Sequence, residues 1–486
     1  MSNLNIVDST VRDGVQSLWA IRLKLSELLP ITPYMDKAGY KVIDLTGAGH
    51  WSYFGRFLRE DPWERIRRVR ENIVNTPLQM WMRTRGIYDF GSIPKPQPLA
   101  RLWLDEFANV GIGRMIFLEE ENDFTNIVDL IPHAQSKGMS VIVPIMYSVS
   151  PYHTYEYYRD KARELVALGA DAIEIKDQGG LLTPETTKWF VNAIQEGAGD
   201  KIGLEFQTHC TTGMGLISTL EAIKEGVHTI RSCLPPLCEG SSLPNTFSVI
   251  DNARYLGYEN QLDRSCLEKI SEHLTSVARR EKLPIGAPVE YDASQYDHQV
   301  PGGVQATLRW QLKQLGREDA FDDVLRETSR VRRDLGYPIM VTPGSQYIVA
   351  QATMNVLGAE RYKVISDEVI AKVALPEAVP SPGPVDPGLK EKVLSNPRTD
   401  EVIANFKKPL SLDELRAQMG SRVENDQEFL SRLAIPEADY QEMKRTKLET
   451  GYLERSQPYM LLLRNLMETR KGFVHISKGD FEITLE

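Results

Sequence analysis

Eight short β-rich runs, separated by amphipathic stretches, fill the first half of the chain and leave few folds open to it. In order they read LNIVDST, KVIDLTG, LQMWMR, RMIFLEE, SVIVPIMYS, AIEIKD, KIGLEFQTH and HTIRSCL. Between them lie segments of helical periodicity such as DPWERIRRVRENI, PLARLWLDEFANVG, YEYYRDKARELVALGA and TPETTKWFVNAIQEGAG. Several end at a glycine just before the next run, the residue that most readily caps a helix C-terminus. A strand followed by a helix, repeated eight times, predicts the α/β class and a parallel (β/α)8 barrel over residues 1–260. The remainder is mostly helical. A helical region over 261–375 is interrupted by HQVPGG and VTPGSQ, and a Pro-rich connection occupies 376–395. A C-terminal helical segment over 396–486 ends in the alternating tail GFVHISKGDFEITLE, read as a short hairpin.

Composition narrows the class of partner. The 486 residues are 42% hydrophobic and carry a net charge of −10, which speaks against nucleic acid and against an anionic membrane surface. The N-terminus shows no basic stretch followed by an apolar one, and SVIVPIMYSV is far shorter than the roughly 20 residues a membrane span needs. Four irregularly spaced cysteines read as reduced thiols rather than a disulfide framework or a zinc knuckle. A cytoplasmic protein without a membrane span is expected.

In barrels of this kind the chemistry collects where strands run into loops. Those ends carry Arg12, Asp13 and Gln16, then Arg83, then the acidic EEEND, then Lys176, and finally Gln207 and His209. Glu205, Gln207 and His209 share one strand face by the period-two rule. Each residue alone reads equally well as a solvated or ion-paired strand end. Together, an oxygen donor (Asp13), a nitrogen donor (His209) and an amide (Gln207) aimed at one mouth suit a divalent metal. A protonated Lys176 cannot ligate a cation; beside a metal it must be neutral or carry CO2 as a carbamate. The alternative is a plain ion pair with Glu174 inside the barrel. Arg12 and Arg83 present rigid forks for a carboxylate, and Gln16 adds a hydrogen bond. With a metal that polarises a carbonyl, the set describes a small 2-oxo acid reacting through a metal-stabilised enolate.

These residues lie in motifs that resemble, in collinear order over about residues 5–395, the carboxyltransferase component of biotin-dependent enzymes. That component is the carboxyltransferase domain of pyruvate carboxylase, the oxaloacetate decarboxylase alpha subunit or the transcarboxylase 2-oxo-acid subunit, within the HMG-CoA-lyase-like metal-dependent TIM-barrel superfamily. The motifs include RDGVQSLWAIRL, GRFLREDPWERIR, EIKDQGGLLTP, THCTTG, VPGGVQATL and PSPGPVDP. The resemblance implies a barrel completed by a helical funnel. It implies metal ligands at Asp13, at a carbamylated Lys176 and at two histidines, of which one is His209 and the other falls on Gln207. Zinc is the family's metal, with manganese, cobalt or magnesium as alternatives. Arg12, Gln16 and Arg83 are the implied substrate-binding residues, and Lys176 and Arg83 are the implied catalytic ones. The hydroxyl that moves a proton between substrate and biotin falls on Ala306, with Thr307 beside it as the catalytic substitute. Biotin is expected on a separate carrier, with biotin carrier and biotin carboxylase proteins as partners and a homo-oligomer, a dimer, as the assembly.

The departures sit in the same mouth. Val15 stands where the family has an imidazole, Glu119, Glu120 and Glu121 fall in its FDAMND motif, and Glu174 stands where it has a small residue. Gln207 is a harder and weaker ligand than imidazole, so either a glutamate from the fourth strand supplements it or it stays in the outer shell. Ala306 has no proton to move. The sequence EMKR (442–445) reads as surface helix rather than a biotin acceptor. The expected function is a carboxyltransferase-type enzyme moving or removing CO2 on a pyruvate- or oxaloacetate-like acid. The alternatives are a biotin-independent metal-dependent lyase or aldolase on the same barrel, and a non-catalytic homologue with an altered site.

Overall fold

The computed structural model describes residues 2–84, 97–342, 344–358, 360–376, 380–406, 410–420, 423–446, 474–478 and 481–485, the last two spans by backbone alone. The eight β-rich runs form eight parallel strands closed into a barrel in chain order. They are β1 (Asn5–Asp8), β2 (Val42–Gly47), β3 (Leu78–Arg83), β4 (Arg114–Leu118), β5 (Ser140–Met146), β6 (Ala172–Asp177), β7 (Gly203–Thr208) and β8 (Thr229–Ser232). Closure pairs Val7 of β1 with Arg231 of β8. Alternation sorts the side chains. On β3, Leu78, Met80 and Met82 join the apolar layer shared with the helices, while Trp81 belongs to a small interior cluster with Ile116 and Ile142.

Local signals start the helices that cover the barrel. The carboxylate of Asp61 accepts the amides of Trp63 and Glu64 at 2.9 and 3.3 Å, and Pro62 opens α1 (Pro62–Asn72). Helix α2 (Gln97–Asn109) packs Trp103 and Phe107 against Trp63 of α1. Thr183 caps α3 (Pro184–Ala198) by accepting the amide of Thr186.

A second apolar core, built around Leu308, Leu312, Val324, Ile348 and Val369, lies in the helical region after the barrel. It includes α4 (Gly302–Gln314), α5 (Phe321–Asp334) and α6 (Asp367–Ala374). This region sits on the barrel's C-terminal rim. Ile339 and Val341 pack on Met146, Arg332 of α5 donates to Ser148 Oγ at 2.9 Å, and Lys372 of α6 meets Glu121 at 3.2 Å.

Beyond it, α7 (Asp426–Ala434) and α8 (Glu437–Arg445) return to the barrel's flank. Phe429, Leu430, Ile435, Tyr440 and Met443 join the core that contains Trp51, Trp63 and Trp103. Trp63 Nε1 donates to the Gln427 carbonyl and to Ser431 Oγ, both at 3.0 Å. Gly55 is required here: a Cβ on it would stand 2.4 Å from Ile435 Cδ1. EMKR lies within α8, with Met443 buried and Lys444 exposed. Strands β9 (Val474–Lys478) and β10 (Phe481–Leu485) pair antiparallel, as the alternating tail predicts. The helical reading of 447–465 lies outside the described residues. All four cysteines are buried and free. Among the described residues no helix is long and apolar enough to cross a membrane.

Candidate active site

β1 runs directly into a wide helical turn, Thr10–Gly14, that carries Arg12 and Asp13 into the barrel mouth. The turn is locked from below, because Thr10 Oγ1 accepts the amide of Leu234 at 2.9 Å. Gly14 lets it approach the neighbouring loop after β8, since a Cβ there would lie 2.6 Å from the Leu237 carbonyl oxygen. Asp13 is the hub. Its Oδ1 accepts from Ser17 Oγ at 2.9 Å; its Oδ2 accepts from Arg12 Nη2 at 2.9 Å and from Gln207 Nε2 at 2.7 Å. Burial opposes ionisation of Asp13, but Arg12 and His209 hold its carboxyl well below the usual range.

His209 lies 3.5 Å from Asp13 Oδ1 through Nε2, while Nδ1 is 2.8 Å from the Ser241 carbonyl. A carbonyl oxygen only accepts, so Nδ1 donates to it and Nε2 is the ring nitrogen that faces the hub. Gln207 and Lys176 are register neighbours on β7 and β6. With its nitrogen on Asp13, Gln207 leaves Oε1 buried with no hydrogen-bond partner. Lys176 Nζ is also buried without a hydrogen bond; its nearest carboxylate, Glu174, is 3.6 Å away. Burial pulls Lys176 down to about 8, although Glu174 and Asp13 favour its charged form.

Trp81 is the floor of this mouth. Arg12 and Lys176 lie over its ring at 4.3 and 4.4 Å, and its Nε1 donates to Asp44 Oδ2 at 2.8 Å. Beneath, Arg231 crosses the barrel, fully buried, 2.6 Å from Glu174 and 2.9 Å from Glu205. Glu205 also pairs with Arg114, and the two arginines hold it below its ordinary range against the cost of burial. Glu174, in contrast, is pushed up by burial despite Arg231 and Lys176.

The structure thus brings Asp13, Lys176, Gln207 and His209 together, with Arg12 alongside. Both expected carboxylate forks already hold protein carboxylates. Arg12 pairs with Asp13 and, at 3.1 Å, with Asp44; Arg83 pairs with Glu120. Gln16 accepts from His50 Nε2 at 3.1 Å, and burial, helped by Arg12, takes His50 down to about 3, so the ring is neutral. The acidic turn after β4 is spent on other partners: Glu119 on Thr84, Glu120 on Arg83, and Glu121 on Lys372 and the amide of Ile339. Ala306 and Thr307 are exposed on α4, and the Thr307 hydroxyl donates to the Gly303 carbonyl at 3.0 Å within its own helix.

Asp44, His50, Trp81 and Arg231 escaped the sequence reading. A signal existed for Trp81, which precedes Arg83 by two on a strand and so shares its face. Among the described residues no group of three or more His, Cys, Asp or Glu is placed to hold a metal ion. Asp13 and His209 alone supply ordinary ligands, and any further ones come from Gln207 and Lys176.

Comparison with known proteins bears on the family and the fold. A family model described as "Conserved carboxylase domain" matches residues 296–483, and one described as "HMGL-like" matches residues 116–274. A pyruvate carboxylase subunit from Methanocaldococcus jannaschii is 36% identical over 394 residues, covering 80% of this chain and 68% of the relative. The corresponding pyruvate carboxylase subunit from Methanothermobacter thermautotrophicus is 34% identical, covering 76% of this chain and 64% of its own length. The chain therefore spans about two thirds of the length of these relatives. The carboxyl transferase domain of Rhizobium etli pyruvate carboxylase, solved with oxamate and biotin, superposes with a TM-score of 0.82 at 24% identity. That match covers 93% of this chain and 79% of the domain, and it establishes a shared fold. The chain belongs to the carboxylase family that includes these two pyruvate carboxylase subunits.

Proposed function

We propose that the chain is the carboxyltransferase component of a biotin-dependent enzyme. It moves CO2 between a pyruvate- or oxaloacetate-like 2-oxo acid and biotin carried on a separate protein. The observation that carries the reading is the buried hub at Asp13, where a neutral amide oxygen (Gln207) and an amine (Lys176) lack hydrogen bonds. Leaving such groups unsatisfied costs about 1–3 kcal/mol each. A cation at Gln207 Oε1 and His209 Nε2 would remove that cost for the amide oxygen, and for Lys176 once its amine is neutral or carries CO2, so the residues present fit a divalent metal. Asp13, His209 Nε2, Gln207 Oε1 and a carbamate on Lys176 would hold it. When bound, such an ion polarises a carbonyl and offsets the charge that develops on its oxygen.

The chain's own groups supply the rest. Burial makes the neutral amine of Lys176 accessible near neutral pH, and only the neutral amine can take up CO2. Arg12 and Arg83 line the mouth as binders of the substrate carboxylate. Gln16 has its carbonyl oxygen engaged by His50, which leaves its amide hydrogens as the donors it can offer a substrate. Thr307 is the proposed proton carrier to biotin, exchanging its bond to Gly303 for one to the incoming ring.

Lys176→Ala is expected to lose bound metal, measured by elemental analysis, and to weaken metal affinity by at least about 100-fold. Unchanged metal content removes Lys176 from the ligand set. A second reading, a biotin-independent lyase, is favoured by Ala306 and by the tie between Thr307 and its own helix. Oxaloacetate decarboxylation that avidin does not inhibit selects it over the first.

A further inference from the structure

We propose that Glu120 is the specificity residue of the carboxylate pocket. It is a resident carboxylate that occupies Arg83 until a chelating 2-oxo acid displaces it, so that simple monocarboxylates are turned away. The inference rests on the carboxyltransferase reading above.

Arg83, the last residue of β3, is 5% exposed, and its Nε is paired with Glu120. Glu120 sits in a tight turn over 119–122, closed by the bond from the Asn122 amide to the Glu119 carbonyl at 3.2 Å. Asn122 adopts φ +53° and is clamped to β5 in both directions. Its Nδ2 donates to the Met146 carbonyl at 3.0 Å, and its Oδ1 accepts the Met146 amide at 2.8 Å. On the next residue, Glu121 is fixed by Lys372 at 3.2 Å and by the Ile339 amide at 3.1 Å. The backbone on the C-terminal side of Glu120 is therefore pinned to the barrel and to the helical region above it. The Glu120 side chain, 13% exposed, lies at the rim and can leave Arg83 by rotating about its own χ angles.

A carboxylate held in this way competes at an effective concentration on the order of millimolar or more. A free monocarboxylate exchanges one ion pair for an equivalent one, gains nothing, and must also overcome that concentration. A 2-oxo acid brings its keto oxygen as a second point of attachment, with Gln16 as a donor, and those interactions have no counterpart in Glu120. The resident carboxylate thus lowers affinity for both ligands but abolishes useful binding only of the simpler one.

Isothermal titration of the full chain with pyruvate and with propionate, for wild type, Glu120→Gln and Glu120→Ala, tests this. Wild type is expected to bind pyruvate and not propionate. Glu120→Ala is expected to bind pyruvate about tenfold more tightly and to bind propionate measurably, with Glu120→Gln between the two. Glutamine keeps the shape and a hydrogen bond to Arg83, so the comparison survives if the alanine variant fails to fold. A pyruvate-to-propionate selectivity that is the same in all folded forms, or weaker pyruvate binding in the variants, overturns the proposal and leaves the carboxyltransferase reading intact. Failure of every form to bind pyruvate overturns both.

Discussion

Two buried charged zones lie one above the other inside the same barrel, and they are built differently. In the lower belt Arg231 reaches Glu174 at 2.6 Å and Glu205 at 2.9 Å, and Glu205 takes Arg114 as well. In the mouth Asp13 gathers Arg12, Ser17, Gln207 and His209, but Lys176 stands 3.6 Å from its nearest carboxylate and Gln207 Oε1 has no partner. Burial is complete in both zones, so desolvation cannot explain the difference. The belt sets arginines against carboxylates within ion-pair distance, although Glu174 and Arg231 also keep atoms without a hydrogen bond. In the mouth the amide oxygen of Gln207 has no such partner, and it lies beside the Asp13 carboxylate and His209. The belt's paired charges suit a folding role, and the unpaired amide oxygen of the mouth suits the metal proposed above.

The largest expected effect comes from opening the belt. Arg231→Met leaves Glu174 and Glu205 side by side in register without the cation between them. Breaking a buried pair by removing one partner costs about 3–5 kcal/mol. The urea midpoint should fall accordingly. A midpoint that does not move means the belt is no tighter than the mouth, and the contrast fails.

A carboxylate buried outside both zones sharpens the point. Asp8 is as buried as Glu205, but among the described residues it receives only the hydroxyl and amide of Thr10. Burial pushes it up to about 7, whereas the arginines around Glu205 hold that residue below its ordinary range. The unfolded chain releases the Asp8 proton near pH 4 and the folded chain keeps it to about 7. The folded state therefore binds more protons across that window, and stability falls as pH rises through it, by up to about 4 kcal/mol, then levels off. Asp8→Asn is expected to flatten this slope, read from urea midpoints at acidic and mildly alkaline pH. An unchanged slope assigns the proton elsewhere.

What the sequence made legible follows from topology. Strand ends of a parallel barrel converge, so Asp13, Lys176, Gln207 and His209 meet once the eight strands are recognised. Arg231 was hidden because its partners depend on the register of β6, β7 and β8 across the interior, which alternation alone does not set. The pairing of Arg83 with Glu120 was hidden because three adjacent glutamates look alike until the turn over 119–122 aims each one. The return of α7 and α8 to Trp63 was hidden for a related reason. Helical periodicity shows that an apolar face exists, not what covers it.

The smallest effect is the most informative about the mouth. As placed, Gln207 gives its amide nitrogen to Asp13 at 2.7 Å. Gln207→His removes that donor and supplies a ring nitrogen in its place, so it acts with opposite signs on the two states of the protein. Without metal the variant should lose about 1 kcal/mol, the value of the lost hydrogen bond. With zinc it should gain about 10- to 100-fold in affinity, or about 1.4–2.7 kcal/mol, because imidazole suits zinc better than an amide oxygen does. The gain should be smaller for manganese and magnesium, which favour oxygen. Chelator competition and thermal melting with and without zinc measure both arms. Opposite shifts identify residue 207 as the open position of the mouth. A loss in both arms would mean that the amide serves Asp13 alone, making this position as closed as the belt beneath it.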